Sequence, residues 1–515
     1  MFSKGSFVRS VIILSVITRL FISNIYGQEN NTFFQLVRHN LYIDYLINSG
    51  RIVIKHPLNQ PYRVNELLDS LPHATSTYSG HWTNLLMQDL LLFSKRQDSL
   101  TRHGNIVGGA EAGSRINDIN KNFDKSFFGN IFLAYSYKNL GFYYRFDADE
   151  AFKNDNDYFG GTGKLEKPLS ARTGVAYLQW DSKFITLFAG RMSQNYGISN
   201  EPGLLLSSNP FSYDKIGLQI TTRVLKFSSF FTRLEDIYGY DIRDSVTTPY
   251  WNKRYMSVHR LEFSFSKKLN LAISESVIFG GKNQSILFQY LNPVNIFYIS
   301  KLSDRKGYEE GNANVLMSMD LFYKPVKRIT IFTQFLIDDM DFTKKLREQF
   351  PDRVGFSGKL IYSDPLPGSQ FYLRYSRISN WTYSSFYNWG NYTFYGKSLG
   401  YPKNGVENFT VGFDVFRFSP FILRLLMKTE SEREQNLKSP FIAEKTSFPI
   451  GIPQKSSSVQ AEVICFPRSW FNASISTEYI HYKNFQYISG KNSSYLNFYL
   501  TARFTGLFKL MKYTH

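Results

Sequence analysis

From about residue 101 onward the chain alternates apolar and polar positions with a period of two, in runs of roughly ten residues. In NFTVGFDVF, Phe409, Val411, Phe413 and Val415 share one face, and Thr410, Gly412 and Asp414 share the other. In FILRLLMKTE, Phe421, Leu423, Leu425 and Met427 alternate with Arg424, Lys428 and Glu430. In the last run, Leu496, Phe498, Leu500 and Ala502 oppose Asn497, Tyr499, Thr501 and Arg503. The runs come in pairs joined by short turns: YKNLG at Tyr137, WDSKF at Trp180, VLKF at Val224, KKLN at Lys267, KPVKR at Lys324, DPLPGS at Asp364, FSPF at Phe418 and FPRSW at Phe466. Between pairs lie long polar and aromatic connections, such as Ala151 to Ser170, Gly280 to Gly311, Asn380 to Lys403 and Ser431 to Gln454.

Tight turns at one end and long loops at the other are the asymmetry of an outer-membrane barrel, whose periplasmic turns are short. An early strand near Arg102 to Glu111 and a last one near Ser494 to Phe504 bring the count to about 18, an even number. The predicted class is all-β: an antiparallel transmembrane outer-membrane β-barrel with a small N-terminal helical periplasmic segment. A charged side chain facing lipid at mid-membrane costs about 2–4 kcal/mol, so the polar phase is expected to face the lumen. Glu275 in LAISESVIF falls on the apolar phase. It is expected near the outer rim, unless the register slips there.

Before residue 101 the period changes. VNELLDSL, Val64 to Leu71, and HWTNLLMQDLLLFSK, His81 to Lys95, have helical spacing, with Pro57 and Pro61 ahead of the first. This segment either tucks beneath or into the barrel or serves as a plain linker. At the start, Lys4 and Arg9 precede the apolar run VIILSVIT, and the small residue Gly27 follows, the pattern of a secretory signal. The expected division is a signal peptide over 1–27, a helical periplasmic segment over 28–100 and the barrel over 101–515. The expected destination is the bacterial outer membrane.

Composition fits this pattern. Aromatic residues make up 17% of the chain, with 47 Phe and 35 Tyr, yet the mean hydropathy is only -0.28. That pairing excludes a helical membrane protein and suits alternation. The single cysteine, Cys465, rules out an intrachain disulfide. The formal net charge of +18 suits an acidic polymer or an anionic lipid surface, and equally no particular partner, since extracellular and periplasmic rims often carry Lys and Arg. Nothing in the pattern calls for nucleic acid or for an oligomer, so a monomer is expected.

Motifs for chemistry mostly fail. GGTGK at Gly160 and GKS at Gly396 lack the earlier glycine of a P-loop, the eight histidines show no metal spacing, and no Gly-x-Ser-x-Gly elbow is present. No enzyme, cofactor or metal is expected. The stretch QFLIDDMDF sets three aspartates close together, as an acid pair or a cation site would. Strand phase argues otherwise: Ile329, Ile331, Phe335 and Ile337 take the lipid phase, and Thr330, Gln334 and Asp338 the lumen phase. With Asp320 on the preceding strand, and Lys359 and Arg374 on the next two as positive partners, these predict a charge-balanced lumen wall. Asp339 and Asp341 fall where the loop starts, solvated or touching ligand. The loop from Asn380 to Pro402 carries Trp381, Tyr383, Phe386, Tyr387, Trp389, Tyr392, Phe394 and Tyr395 among Asn, Ser and Gly. These suit stacking on sugar rings, and equally an interfacial girdle or packing over the mouth.

The segment GRMSQNYGISNEPGLLLSSNPFSYDKIGLQ, Gly190 to Gln219, resembles the signature of the Wzi-like capsule-assembly outer-membrane proteins. Its core is Pro202 and Gly203, an apolar triplet, Ser207, and Asn209 after one residue. GNANVLMSMDLFY and QFLIDDMDF resemble later strands of that family, and the N-terminal LYIDYLINSGRIVIKHPLNQPYRVNELLDSL is similar to the helical lead-in of Bacteroidota members, some implicated in gliding motility. The tryptophan that usually precedes the signature is lacking. The resemblance implies an 18-stranded barrel with a helical periplasmic piece, acting as a surface lectin that retains capsule or exopolysaccharide. Beside that stand a passive porin with a charged lumen and a surface component of gliding or adhesion. Expected partners are outer-membrane lipid and surface polysaccharide, with the basic balance helping if the glycan is acidic and with partner proteins left open.

Overall fold

Alternation decides the architecture, because a strand with one apolar and one polar face needs two different surroundings. The structure is a computed structural model, and it describes residues 39–71, 80–93, 105–119, 122–155, 157–158, 170–198, 200–243, 246–303, 313–339, 351–434, 437–439, 441–442 and 446–510. The expected signal peptide lies outside the described residues.

Eighteen strands form one closed antiparallel barrel: β1 (Asn105–Ile119), β2 (Asn122–Tyr137), β3 (Leu140–Asp149), β4 (Ser170–Asp181), β5 (Ile185–Met192), β6 (Tyr213–Thr221), β7 (Leu225–Arg233), β8 (Val246–Ser266) and β9 (Leu269–Lys282) make the first half. The second half comprises β10 (Ala313–Val326), β11 (Ile329–Asp339), β12 (Arg353–Ser363), β13 (Ser369–Ile378), β14 (Val406–Val415), β15 (Phe421–Glu432), β16 (Gln454–Arg468), β17 (Phe471–Lys483) and β18 (Ser493–Leu510). Each pairs with its neighbour in sequence, and β1 pairs with β18 from Ile106↔Leu510 to Asp118↔Phe498, which closes the sheet and removes its edges. The first residues of β8, Val246–Asn252, pair with Ile237–Arg243 and extend the wall as a hairpin.

The eight short turns fall where the sequence places them, between strands that end and resume around 138–139, 182–184, 222–224, 267–268, 327–328, 364–368, 416–420 and 469–470. The first strand is longer than expected and meets β2 after two residues, so one connection at the opposite end is also tight. Side-chain exposure is inverted relative to a water-soluble protein. Ile216 is 69% exposed on the outer face, while Arg260, Asp320 and Thr330 are buried inside. An apolar outer surface and a polar interior are what a bilayer demands.

Glu275 corrects the sequence reading. It takes the outer phase without a register slip, pairing with His259 on β8 and Met317 on β10, but it lies mid-strand rather than at the rim. The connection after β9 folds back over it. The Phe297 backbone N–H donates to Glu275 Oε2 at 3.0 Å, and His259 Nδ1 lies 3.4 Å from Oε1.

Among the described residues three helices precede the barrel: α1 (Asn40–Ser49), α2 (Val64–Ser70) and α3 (Gly80–Phe93). Apolar residues on more than one side of α1 are buried, among them Tyr42, Ile43, Tyr45 and Leu46, because it packs inside the barrel's turn-bearing end. Gly50 ends it in the left-handed region, φ 73°, with its N–H bonded to Ile47 and Leu46 carbonyls. Lys324 at the end of β10 donates to Ile47 O at 2.7 Å, Tyr45 stacks on Phe416 at 4.6 Å, and Trp82 of α3 donates to Phe416 O at 3.1 Å.

Candidate functional site: an interlocked plug beneath an aromatic mouth

Two stretches of chain enter the lumen from opposite ends and hydrogen-bond to each other. From the turn-bearing end come Leu58, Asn59 and Gln60. From the loop-bearing end comes the β5–β6 connection, residues 193–212, which holds the Pro-Gly segment. They meet as a short antiparallel bridge, Asn59↔Tyr196 and Gln60↔Asn195, with Gly197 N–H donating to Leu58 O at 3.0 Å. Backbone polar groups brought into a lumen must find partners there, and these two segments supply them to each other.

The β5–β6 loop is folded tightly on itself. Tyr196 N–H donates to Leu206 O at 2.9 Å, and Gly203 N–H donates to Asn195 Oδ1 at 2.9 Å. Any Cβ at Gly203 would overlap the carbonyl oxygens of Leu206 and Tyr196, which explains the glycine. Leu204, Leu205 and Leu206 are wholly buried. Ser207 Oγ donates to Gly400 O at 2.6 Å, and Asn209 Nδ2 donates to Ser398 O at 2.9 Å. Pro202, Gly203, Ser207 and Asn209 thus build the plug and dock it to the β13–β14 loop.

Strand phase supplies the anchors. Asp320, Gln334, Asp338, Lys359 and Arg374 all lie on the lumen side of β10 to β13. Gln334 is the clamp: its Nε2 donates to Tyr196 O at 2.8 Å and Asp320 Oδ1 at 3.0 Å, and its Oε1 accepts from Leu204 N–H at 3.3 Å. Arg260 completes the node, donating to Asp320 Oδ2 at 2.5 Å and to Leu58 O at 3.0 Å, with its guanidinium 4.6 Å from the Tyr196 ring centroid. One buried Asp–Arg–Gln group therefore holds both incoming segments.

The ion pairing differs from the expected one. Lys359 and Arg374 do not neutralise Asp320 or Asp338. Both pair with Glu201 of the β5–β6 loop, Lys359 Nζ at 2.6 Å. Burial would raise the Glu201 pKa, but the two cations outweigh it and hold the carboxyl below its usual range. Asp338 instead accepts the Tyr383 N–H at 2.7 Å and lies 3.8 Å from Arg353. Asp339 ends β11, and Asp341 lies outside the described residues.

The aromatic candidates divide. Trp381, Tyr383 and Tyr392 are completely buried and Trp389 nearly so, which removes them as stacking faces. Their role is packing. Tyr383 donates to Leu204 O at 2.6 Å and stacks with Tyr392 at 5.9 Å, and burial pushes both hydroxyls above their ordinary pKa. Arg254 inside β8 donates to the carbonyls of Trp389, Asn391 and Thr393 and so ties this loop across the mouth. Exposed at the mouth are Phe386, 74% exposed, Tyr387, 41% exposed and stacked on Trp389 at 5.1 Å, Tyr395, and Asn388, whose amide donates to Tyr238 O. A rigid backing of this kind offers a ring face with little entropy left to lose.

Sequence reasoning missed Arg260, Arg254 and Glu201, whereas Phe386 was among the loop aromatics it set out for stacking. Arg254, Arg260 and Glu262 share one phase of β8, a signal that was readable. Glu201 had none. Along the β1–β4 wall the lumen is less filled. A cleft of about 280 Å³ is lined by Glu111, Arg115, Arg145, Asp147 and Arg503, and a cavity of about 440 Å³ beside Glu201 shares Arg145 with it. Among the described residues no cluster of three or more His, Cys, Asp or Glu could hold a metal.

Neither family models nor curated protein sequences match this chain. Solved structures do. Wzi of Escherichia coli, described as an outer-membrane protein involved in group 1 capsule assembly and a carbohydrate-binding β-barrel, aligns with a TM-score of 0.58 at 12% identity, covering 93% of this chain and 99% of that one. OprD of Pseudomonas aeruginosa aligns with a TM-score of 0.45 at 9% identity, over 79% and 96%. At such identity the likeness to Wzi establishes the fold, that of an outer-membrane β-barrel.

Proposed function

We propose that this barrel binds a surface polysaccharide noncovalently at its extracellular mouth and retains it at the cell, acting by binding rather than by catalysis. The observation that carries this reading is the interlocked plug. With Leu58–Gln60 bridged to Asn195–Tyr196, the mouth is the face left to act, and it presents Phe386, Tyr387 and Asn388 on a rigid base. Ring faces beside an amide match the apolar faces and hydroxyl edges of sugars. The carbohydrate binding described for the structurally similar Wzi points the same way. Weak contacts at one barrel are multiplied when a polymer engages many copies, so modest single-site affinity suffices. The net charge of +18 suits an acidic glycan. In this reading the protein is a monomer in the outer membrane, exported by its first 27 residues.

A second reading, a narrow channel, draws on the charged cleft and the Glu201 cavity, which share Arg145 in their linings. Cells lacking the protein separate the two. Loss of retained surface polysaccharide, restored by the wild type but not by a Phe386→Ala/Tyr387→Ala variant, supports the glycan reading. Normal retention with slowed uptake of small solutes overturns it.

A further inference from the structure

The connection after β9 does not stay outside the barrel. Lys282 ends β9 at the loop-bearing end, yet Phe297, at the start of α4 (Phe297–Ser303), hydrogen-bonds Glu275 seven residues back down the strand. At about 3.3 Å per residue and a tilt near 40°, the chain returns roughly 18 Å along the outer wall. Glu275 stands a similar distance above the periplasmic turn at 267–268, inside an apolar band that is about 25 Å tall. Its outward neighbours one step nearer that turn, Ile273 and Met319, are more than half exposed on the lipid face.

The composition of this stretch fits that depth. Residues 283–300, NQSILFQYLNPVNIFYIS, contain no charged side chain. One side packs on the wall: Tyr290 and Phe297 cover Tyr255, Val277 and Phe279, and the His259 ring lies 4.1 Å from that of Phe297. The other side is apolar and uncovered, with Phe288 83%, Val294 86%, Ile299 56% and Ile296 52% exposed. In water such a surface would be unfavourable, and His259–Glu275 would need no lid. Within a bilayer both features make sense, because the lid removes an ionisable pair from hydrocarbon and its apolar side continues the lipid-facing band.

We infer that residues 283–303 form a membrane-dipping element whose apolar edge, Phe288, Val294, Ile296 and Ile299, sits among the acyl chains of the outer leaflet. The lipid is recognised by its hydrocarbon, and the element seals the outward His259–Glu275 pair of this wall.

The test places a single bimane-labelled cysteine at Val294 in a Cys465→Ser background, in the full-length protein reconstituted into phosphatidylcholine vesicles. Ile475→Cys on the barrel wall and Phe386→Cys at the mouth serve as lipid and water references. Quenching by acyl-chain doxyl lipids at the level of Ile475→Cys, with protection from acrylamide, is the expected result. Acrylamide quenching at the level of Phe386→Cys overturns it. Protection from both quenchers, with the unlabelled Val294→Cys protein forming a disulfide-linked dimer under mild oxidation in dilute vesicles, also overturns it by making a second copy the occupant. Should Val294→Cys fail to give the heat-modifiable folded form, Phe288→Cys carries the same measurement.

Discussion

Glu201→Gln tests the plug where its electrostatics are strongest. The carboxylate sits between Lys359 on β12 and Arg374 on β13, with side chains 13%, 10% and 18% exposed respectively. The substitution keeps the shape and removes the charge, leaving two nearly buried cations facing an amide. Removing one partner of a fully buried pair costs about 3–5 kcal/mol, and the remaining access of water here brings the figure to about 2–3 kcal/mol. That cost falls on the docked state of the β5–β6 loop and leaves barrel pairing untouched. The released population therefore rises roughly 30- to 150-fold. Planar-bilayer recording should show brief openings that are rarer in the wild type, and amide exchange should speed up across residues 196–207. Because the folded carboxyl pKa is lowered, its contribution is present above the ordinary carboxylate range and is lost as pH falls through the folded value. Acid should thus make the wild type resemble the variant. Identical opening frequency and exchange in the two proteins at neutral pH would refute the reasoning.

Gln334→Leu leaves the Tyr196 carbonyl, the Leu204 N–H and one Asp320 oxygen without their clamp, and should destabilise the docked loop by about 2–4 kcal/mol, read as faster exchange at Leu204 and Leu58. His56 is buried with a pKa lowered to about 3 by burial and the Lys226 charge, against 6.5 unfolded. Its neutral folded form gives full stability above about pH 6.5, and roughly 2 kcal/mol is lost by pH 5 as the released chain takes up a proton. Exchange over residues 51–63 should accelerate below pH 6, and His56→Gln should flatten that profile. Gly203→Ala should undock residues 202–207 while the barrel still forms, seen as a new protease-sensitive site in a heat-modifiable protein.

Much of the barrel was legible because period-two alternation and loop length report directly on strand phase and end. Asp414 and Thr410 face inward and Phe409 and Phe413 outward for the same reason that FTVGFDV reads as it does. Phase cannot say what fills the lumen. Lys359 and Arg374 point inward, but their partner Glu201 arrives on a loop 158 and 173 residues away in sequence, which no strand pattern encodes. The aromatics of the β13–β14 loop misled for a similar reason. Trp381, Tyr383 and Tyr392 alternate with Asn, Ser and Gly as an exposed platform would, yet a loop that folds into a barrel mouth has its own core. Glu275 broke its phase because a segment after β9, apolar but without strand period, returns to cover it.

The most direct measurement is equilibrium binding of surface polysaccharide, isolated from the same cells, to the purified protein in nanodiscs. Stacking at Phe386 and Tyr387 contributes about 1 kcal/mol each, so the wild type should bind saturably and Phe386→Ala/Tyr387→Ala should bind roughly tenfold or more weakly at unchanged thermal stability. No saturable binding by the wild type, or equal binding by the double variant, would contradict the account.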